Sequence, residues 1–140
     1  MQAGTFALIF AAAFTGAALY LNIVEQPARS GLDDRALLSE WRISDRRGFA
    51  LLASLALVAA ILALAAYFAT QNVLWLVGAL VVIASWPYTF FAIVPVTNRI
   101  LALSASEPEQ LRALVRVWGF LEIGQTAIGV AACLVFLTAI

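Results

Sequence analysis

Four long apolar stretches constrain this chain more than any other feature of its sequence. An α-helix needs ~20 apolar residues to cross a hydrocarbon core of ~30 Å, and each stretch is about that long. Their approximate bounds are 3–24, 48–70, 73–94 and 117–139. The 140-residue chain is 64% hydrophobic and 11% charged, with a mean hydropathy of +1.00. The sequence therefore predicts an all-α integral membrane four-helix bundle, a single domain over 1–140 whose main partner is the lipid bilayer.

The basic residues lie in only two of the three connections between these stretches. All eight are arginine: Arg29, Arg35, Arg42, Arg46, Arg47, Arg99, Arg112 and Arg116. They fall within 25–47 and 95–116, whereas the short connection at 70–72 carries no charge. Alternating crossings put both arginine-bearing loops on one side of the membrane, and an excess of arginine marks the cytoplasmic side. We expect these loops in the cytoplasm, both termini outside, and the protein in a bacterial inner membrane.

Capping signals predict local structure within the two arginine-bearing connections. Asp33 or Asp34 can cap a short helix through Trp41, and the apolar edge of that helix suits the headgroup region of a bilayer. Further along, Ser106-Glu107-Pro108-Glu109 has the pattern of a capping box with proline in the first turn. The sequence thus predicts a short interfacial helix after the first span and a fourth helix that starts near residue 107.

The residue types that the chain lacks exclude several kinds of site. It has no Lys and no His, and Cys133 is its one cysteine. The usual acid–base residue near neutral pH, the commonest transition-metal ligand and any thiol pair are therefore missing. Glu25, Glu122 and Cys133 are too few and too separated for a convincing metal site. We predict no metal and no cofactor, and a net charge of zero gives no reason to expect nucleic acid as a partner.

A polar stripe runs along the fourth predicted helix at membrane depth. Trp118, Glu122 and Gln125 follow the spacing of three and four residues that puts side chains on one helix face. Charged groups at this depth are costly, and those that occur usually face a bundle interior or a water-filled cavity. The stripe is therefore predicted to face inward, with Glu122 as the candidate catalytic acid or base.

The other helices offer polar and aromatic groups at a similar depth. The candidate substrate-binding residues are Asn22, Glu25, Arg47, Trp86, Tyr88, Thr89, Asn98, Trp118 and Gln125. On one interpretation they enclose a small apolar or aromatic ligand, with the aromatic rings as walls. On the other, Glu122 pairs with Arg47 or Arg99, and the amides only join helices through hydrogen bonds. Glu25, four residues before Arg29, has the spacing of a plain ion pair at a helix end.

Three stretches of the sequence carry a likeness to a known family. They are Asn22-Ile23-Val24-Glu25-Gln26-Pro27-Ala28-Arg29, then Trp41 through Arg47-Gly48-Phe49-Ala50, and Trp86-Pro87-Tyr88-Thr89 followed by Pro95-Val96-Thr97-Asn98-Arg99. Together they resemble the anthrone oxygenase-like family, small four-helix membrane proteins largely described as a domain of unknown function. The likeness spans nearly the whole chain. It implies a four-span bundle and, for the members with an assigned role, oxidation of an anthrone to an anthraquinone by molecular oxygen without an evident cofactor.

At one place the chain departs from the pattern of that family. The family pattern has His-x-x-Arg on the fourth helix after the tryptophan, where this chain has Glu122-Ile123-Gly124-Gln125. A carboxylate can still abstract a proton from an activated carbon. The cation that would stabilise a developing oxyanion is gone, however.

Two functions of different classes are therefore open. The first is a small-molecule-binding membrane protein, specifically a cofactor-independent oxygenase of phenolic or anthrone-like compounds, with Glu122 as base and Gln125, Asn22 and Asn98 orienting the substrate. The second is a non-catalytic bundle that acts as an accessory subunit or as a homo-oligomer. Transport is less favoured, because four short helices without a repeat leave little room for alternating access.

Overall fold

Four long helices make up almost the whole chain, as predicted. The computed structural model describes residues 2–140, and no strand occurs among them. The helices are α1 (Gln2–Ser30), α2 (Asp34–Thr70), α3 (Val73–Leu101) and α4 (Pro108–Ala139). Each is long and apolar enough to cross a membrane. The predicted four-helix membrane bundle is therefore confirmed.

The helices are arranged as a square in which sequence neighbours are antiparallel. α1 packs against α2 and α4, and α3 packs against the same two helices. This order puts residues 25–47 and 95–116 at one end, called here the arginine-rich end, because every arginine of the chain lies in those residues. The opposite, apolar end holds the turn at 70–72 and the end of α4.

Two hydrophobic clusters fill the interior, one toward each end. The cluster toward the apolar end is rich in alanine, so its helices approach closely. Its members are Ala7, Ala11, Phe14, Ala18, Leu52, Ala56, Ala59, Ala60, Ala63, Ala66, Trp75, Ala79, Val82, Ala132 and Phe136. Trp75 and Phe136 contact each other with ring centroids 5.6 Å apart. They pack where glycines leave room, Trp75 over Gly4 and Phe136 over Gly78.

The second cluster corrects the prediction of a separate interfacial helix. Asp33 does cap a helix, and its side chain accepts a hydrogen bond from the Ala36 amide at 2.8 Å. That helix is α2 itself, which continues without a break to Thr70 because no proline occurs within it. Leu37, Leu38 and Trp41 are buried in the cluster at the arginine-rich end instead of lying among lipid headgroups.

The connection before α4 also differs in detail from the prediction. α4 begins at Pro108, which confirms the predicted start near residue 107. The capping box is wrong, because the helix begins without a side-chain cap. The Ser106 hydroxyl instead contacts the hydroxyl of Ser104, so it is not directed at the helix amides.

Two irregular turns lie at the level where the clusters meet. The regular bonding of α3 is interrupted at Ala84, just before Pro87, whose nitrogen has no hydrogen to donate. α3 then forms a π-turn over Thr89–Ile93, and α1 forms one over Leu21–Glu25. Such turns redirect side chains and are frequent at functional sites. Here they flank the polar layer of the bundle.

Candidate functional site

A largely apolar cavity lies between the two hydrophobic clusters. Its volume is about 270 Å³, near the lower end of the range for ligand pockets (~300 Å³ and above). α2 and α3 form its sides and α4 its floor. The lining residues are Leu21, Ser44, Asp45, Gly48, Phe49, Leu52, Ala53, Ser85, Trp86, Thr89, Phe90, Ile93, Val94, Thr97, Trp118, Glu122 and Gln125. Its size suits a small aromatic compound.

Glu122 is the buried ionisable group of this cavity. Its side chain is 6% exposed, and its Oε2 atom has no hydrogen-bond partner. The expected pairing with Arg47 or Arg99 does not occur, because none of the ion pairs of residues 2–140 includes Glu122. A buried carboxyl without a partner is costly. That cost is recovered when a ligand donates a hydrogen bond to the free oxygen or a proton occupies it.

Gln125 lies one helical turn further along α4 on the same face. Its Nε2 donates a hydrogen bond to the Thr89 hydroxyl across to α3. Its Oε1 atom is buried and has no partner. The amide is therefore fixed through its nitrogen, while its oxygen stays without a partner. Glu122 and Gln125 both line the cavity, and each has an acceptor oxygen that forms no hydrogen bond.

Two further polar groups line the cavity toward the arginine-rich end. Asp45 of α2 is near enough to Glu122 for the two carboxyls to interact electrostatically. The indole N–H of Trp118 interacts with the Asp45 carboxyl, although the geometry falls short of a hydrogen bond, and this donor is buried without a partner. The lining of the cavity therefore includes one donor and two acceptors that form no hydrogen bond.

Arg29 organises the polar groups behind the cavity. It is 2% exposed, and its Nε donates to Glu40 of α2 at 2.6 Å. Its other nitrogens donate to Gln26 at 2.7 Å, Ser44 at 2.9 Å and Glu25 at 3.2 Å. The Ser44 hydroxyl donates in turn to Glu25. One guanidinium thus joins α1 to α2 and is paired with two carboxylates.

The same arginine holds the tryptophans of the site in place. Its guanidinium carbon lies 5.3 Å from the ring centroid of Trp118, which is cation–π geometry. Trp41 packs edge-on against Trp118 with the centroids 5.7 Å apart. Gln26, which binds Arg29, also donates to the Val115 carbonyl at 2.9 Å and so fixes α1 to α4. The floor of the cavity is therefore rigidly positioned.

The mouth of the cavity faces the surroundings of the bundle between α2 and α3. Phe49, Trp86 and Phe90 line it and are also exposed, Phe90 by 68%. In a protein that spans a membrane, such a surface faces lipid tails. The Trp86 indole bridges the two helices by donating to the Ala53 carbonyl at 3.2 Å. The mouth of the cavity is therefore lined by apolar side chains on the outer surface of the bundle.

The structure brings together half of the residues proposed from the sequence. Trp86, Thr89, Trp118, Glu122 and Gln125 line the cavity. The remaining candidates lie outside that lining: Asn22, Glu25, Arg47, Tyr88 and Asn98.

Each of these five has another position. The Asn22 Oδ1 accepts from Thr126 at 2.8 Å, and the Tyr88 hydroxyl donates to the Leu121 carbonyl at 2.6 Å. Glu25 forms the ion pair with Arg29 that its spacing indicates. Arg47 lines a second groove between α1 and α2, and Asn98 is exposed near the end of α3.

Sequence reasoning missed three residues that matter to the site. Asp45 and Ser44 were absent from the candidates because they precede the apolar run of α2, and Arg29 was predicted only as a loop charge and as the ion-pair partner of Glu25. Asp45 had no sequence signal of its own, because the predicted short helix ends at Trp41, one turn before it. No group of three or more His, Cys, Asp or Glu side chains suited to a metal ion occurs among residues 2–140.

Comparison with known proteins identifies a family. The family model described as anthrone oxygenase matches residues 41–135, which is more than half of the chain. The matched region contains α3 and most of α2 and α4, and so includes nearly all of the cavity lining. No curated protein and no solved structure shows significant similarity.

Proposed function

The chain belongs to the anthrone oxygenase family, and from this premise we propose that it is a membrane oxygenase that works without a cofactor. Its substrate is a phenolic or anthrone-like compound that enters the cavity from the bilayer. Glu122 is the catalytic base, and the aromatic side chains around it hold the substrate ring. The second function left open by the sequence, a non-catalytic accessory or oligomeric bundle, becomes the alternative outcome of the test below.

The unpaired carboxyl of Glu122 is the observation that carries this proposal. A glutamate that served only to join helices would be paired with an arginine or hydrogen-bonded across the interface. Glu122 instead lines an apolar cavity of ligand size and has a buried oxygen without a hydrogen-bond partner. A buried ionisable group without a partner in an apolar cleft is a candidate catalytic group.

The chemistry needs a base and molecular oxygen. Glu122 removes a proton from the methylene carbon of an anthrone, and the resulting electron pair is delocalised onto the ring carbonyl. The carbanion carbon bonds to dioxygen, and the peroxide formed takes the proton back from Glu122. The base then removes the second proton from the same carbon, so that a C=O bond forms as the O–O bond breaks. Hydroxide leaves and takes the proton from Glu122, which gives anthraquinone and water.

Two features of the cavity favour this sequence of steps. The indole N–H of Trp118 forms no hydrogen bond, and a shift of this donor from the Asp45 carboxyl to the ring carbonyl stabilises the oxyanion that develops there. It offers a replacement for the family cation that this chain lacks. The apolar walls exclude water, which protects the carbanion from being reprotonated by solvent before oxygen reacts.

Substitution of Glu122 by glutamine tests the proposed base. With anthrone as substrate, we expect Glu122→Gln to lower kcat by about 10²–10⁴-fold, the usual contribution of a positioned acid or base. Oxygen consumption and anthraquinone absorbance, measured on protein purified in mild detergent, give the rate. Glu109→Gln is the matched control, because Glu109 is exposed and lies outside the cavity.

The oligomeric or accessory function predicts a different result. In that case the wild-type protein does not accelerate anthrone oxidation, no aromatic compound co-purifies with it, and Glu122→Gln changes assembly or thermal stability instead. Equal turnover by wild type and Glu122→Gln would rule out the role of this carboxyl. Mass spectrometry of small molecules retained in detergent provides the complementary observation.

A further inference from the structure

We propose that Asp45 connects the buried Glu122 to water at the arginine-rich end and forms, with Ser44, a path for proton exchange. The purpose of this path rests on the proposed function, because a catalytic base must be able to lose its resting proton before the first turnover. The path crosses a wall that two cavities share.

The wall consists of a short part of α2 together with one residue of α1. A second groove lies between α1 and α2 and opens at the surface near the arginine-rich end. The residues that line both this groove and the inner cavity are Leu21, Ser44, Gly48 and Leu52. Gly48 has no side chain to fill the space, and a Cβ built there would meet nothing within 4 Å. The barrier between the two spaces is therefore thin.

Polar groups follow one another across this wall. Asp45 lines the inner cavity and interacts with Glu122. Ser44, the neighbouring residue, lines both spaces and donates to Glu25. Glu25 and Glu40 line the outer groove with side chains 27% and 35% exposed. Polar residues of the inner cavity, of the shared wall and of the outer groove thus lie in succession between the buried carboxyl and groups that solvent reaches.

The alternative routes from Glu122 to water are apolar. Toward the apolar end, the alanine-rich cluster separates the cavity from the turn at 70–72. Through the mouth between α2 and α3, a proton would enter lipid, where no acceptor exists. Arg29 permanently carries its charge and cannot pass a proton on. Asp45 is consequently the group on the cavity wall that is able to take a proton from Glu122 and release it again.

Exchange of the Glu122 proton for deuterium tests the path without any substrate. Infrared spectra of the protein in membranes are recorded at a pH acid enough to protonate Glu122, and the carbonyl band of its carboxyl is assigned by its loss in Glu122→Gln. After a switch to D₂O, the shift of that band reports exchange. We expect Asp45→Asn to slow it roughly a hundredfold, the lower end of what a positioned proton-transfer group contributes.

Substitutions at the shared wall provide the second arm. Gly48→Leu fills the space between the two cavities and is expected to slow exchange to a similar extent, whereas Gly48→Ala, which meets open space, leaves it unchanged. Glu109→Gln controls for the removal of a carboxyl elsewhere. Circular dichroism confirms that each variant retains its helices. Exchange as fast as wild type in Asp45→Asn or in Gly48→Leu would overturn the path.

The outcome is separable from that of the oxygenase test. Exchange is measured in the absence of anthrone and oxygen, so a protein that does not oxidise anthrone still gives a result. Conversely, rapid exchange in Asp45→Asn combined with the loss of turnover in Glu122→Gln would leave the catalytic base in place and remove only the path.

Discussion

Arg29 lies inside the bundle and is paired with the carboxylates of Glu25 and Glu40. Its removal leaves two partly buried acidic groups close together without a cation. Breaking a buried ion pair by removing one partner costs about 3–5 kcal/mol, and the exposure of the two glutamates places the expected loss for Arg29→Met toward the lower part of that range. Thermal unfolding in mild detergent measures it.

An exposed arginine supplies the control for this prediction. Arg42 is exposed on α2, and surface substitutions away from special features usually change stability by less than ~0.5 kcal/mol. Arg42→Met should therefore unfold close to the wild-type temperature. If Arg29→Met and Arg42→Met unfold at the same temperature, the buried network does not stabilise the fold as we infer.

The sequence correctly predicted an ion pair between two residues of one helix. It did not predict the contacts of the site that depend on how different helices pack. The i, i+4 spacing of Glu25 and Arg29 sufficed to predict their ion pair. The carboxylate that lies nearest to Arg29 is that of Glu40, at 2.6 Å. Glu40 comes from another helix, and its position depends on how α1 and α2 pack. The absence of a partner for Glu122 likewise depends on the whole bundle and has no signature in the spacing of residues.

At the scale of helices, the contact between α3 and α4 depends on the absence of a side chain. Gly124 lies beneath the hydroxyl of Tyr88, which donates to the Leu121 carbonyl. A methyl group at Gly124 would overlap that hydroxyl and push α3 away from α4. We expect Gly124→Ala to destabilise the protein by about 1–3 kcal/mol, as overpacking generally does, and to weaken binding of an aromatic ligand measured by tryptophan fluorescence.

Gly16 provides a matched glycine on α1. A methyl group there meets no atom within 4 Å, and alanine favours a helix over glycine by up to ~1 kcal/mol. Gly16→Ala should thus unfold at the wild-type temperature or above it. A destabilisation of equal size in the two variants would show that loss of glycine flexibility, and not the contact with Tyr88, is responsible.

The spans were predictable because length and hydropathy determine which segments cross a membrane. The residues at which the helices begin and end were less predictable. α2 runs on for several turns before its apolar stretch, since the polar residues that precede Gly48 form a helix as readily as they form a loop. That continuity is what places Ser44 and Asp45 beside the cavity. Because the predicted short helix ended at Trp41 and the predicted span began at 48, there was no reason in the sequence to place Ser44 and Asp45 in the site.

At the scale of the whole molecule, a polar layer lies between two apolar clusters. The cluster of alanines holds the apolar end closely packed, whereas larger side chains and the Arg29 network hold the arginine-rich end. The cavity lies between the two clusters, beside the interruption of α3 at Ala84 and the π-turn that follows it. The arrangement gives one compartment open to lipid and, through the wall at Gly48, close to water. The orientation of the protein in the membrane decides whether this aqueous phase is the cytoplasm or the outside of the cell.

The distribution of arginine predicts that this phase is the cytoplasm. Cys133 can be replaced by alanine, and single cysteines introduced at Ser106, on the arginine-rich end, and at Ile140, on the apolar end, since both positions are exposed. In intact spheroplasts, a membrane-impermeant thiol reagent should label Ile140→Cys and leave Ser106→Cys unmodified until the membrane is broken. The positive-inside rule acts through arginine and lysine alone, so the acidic residues at the same end do not weaken this expectation. Labelling of Ser106→Cys from outside would mean that the protein is inverted, and that Glu122 exchanges its proton with the exterior.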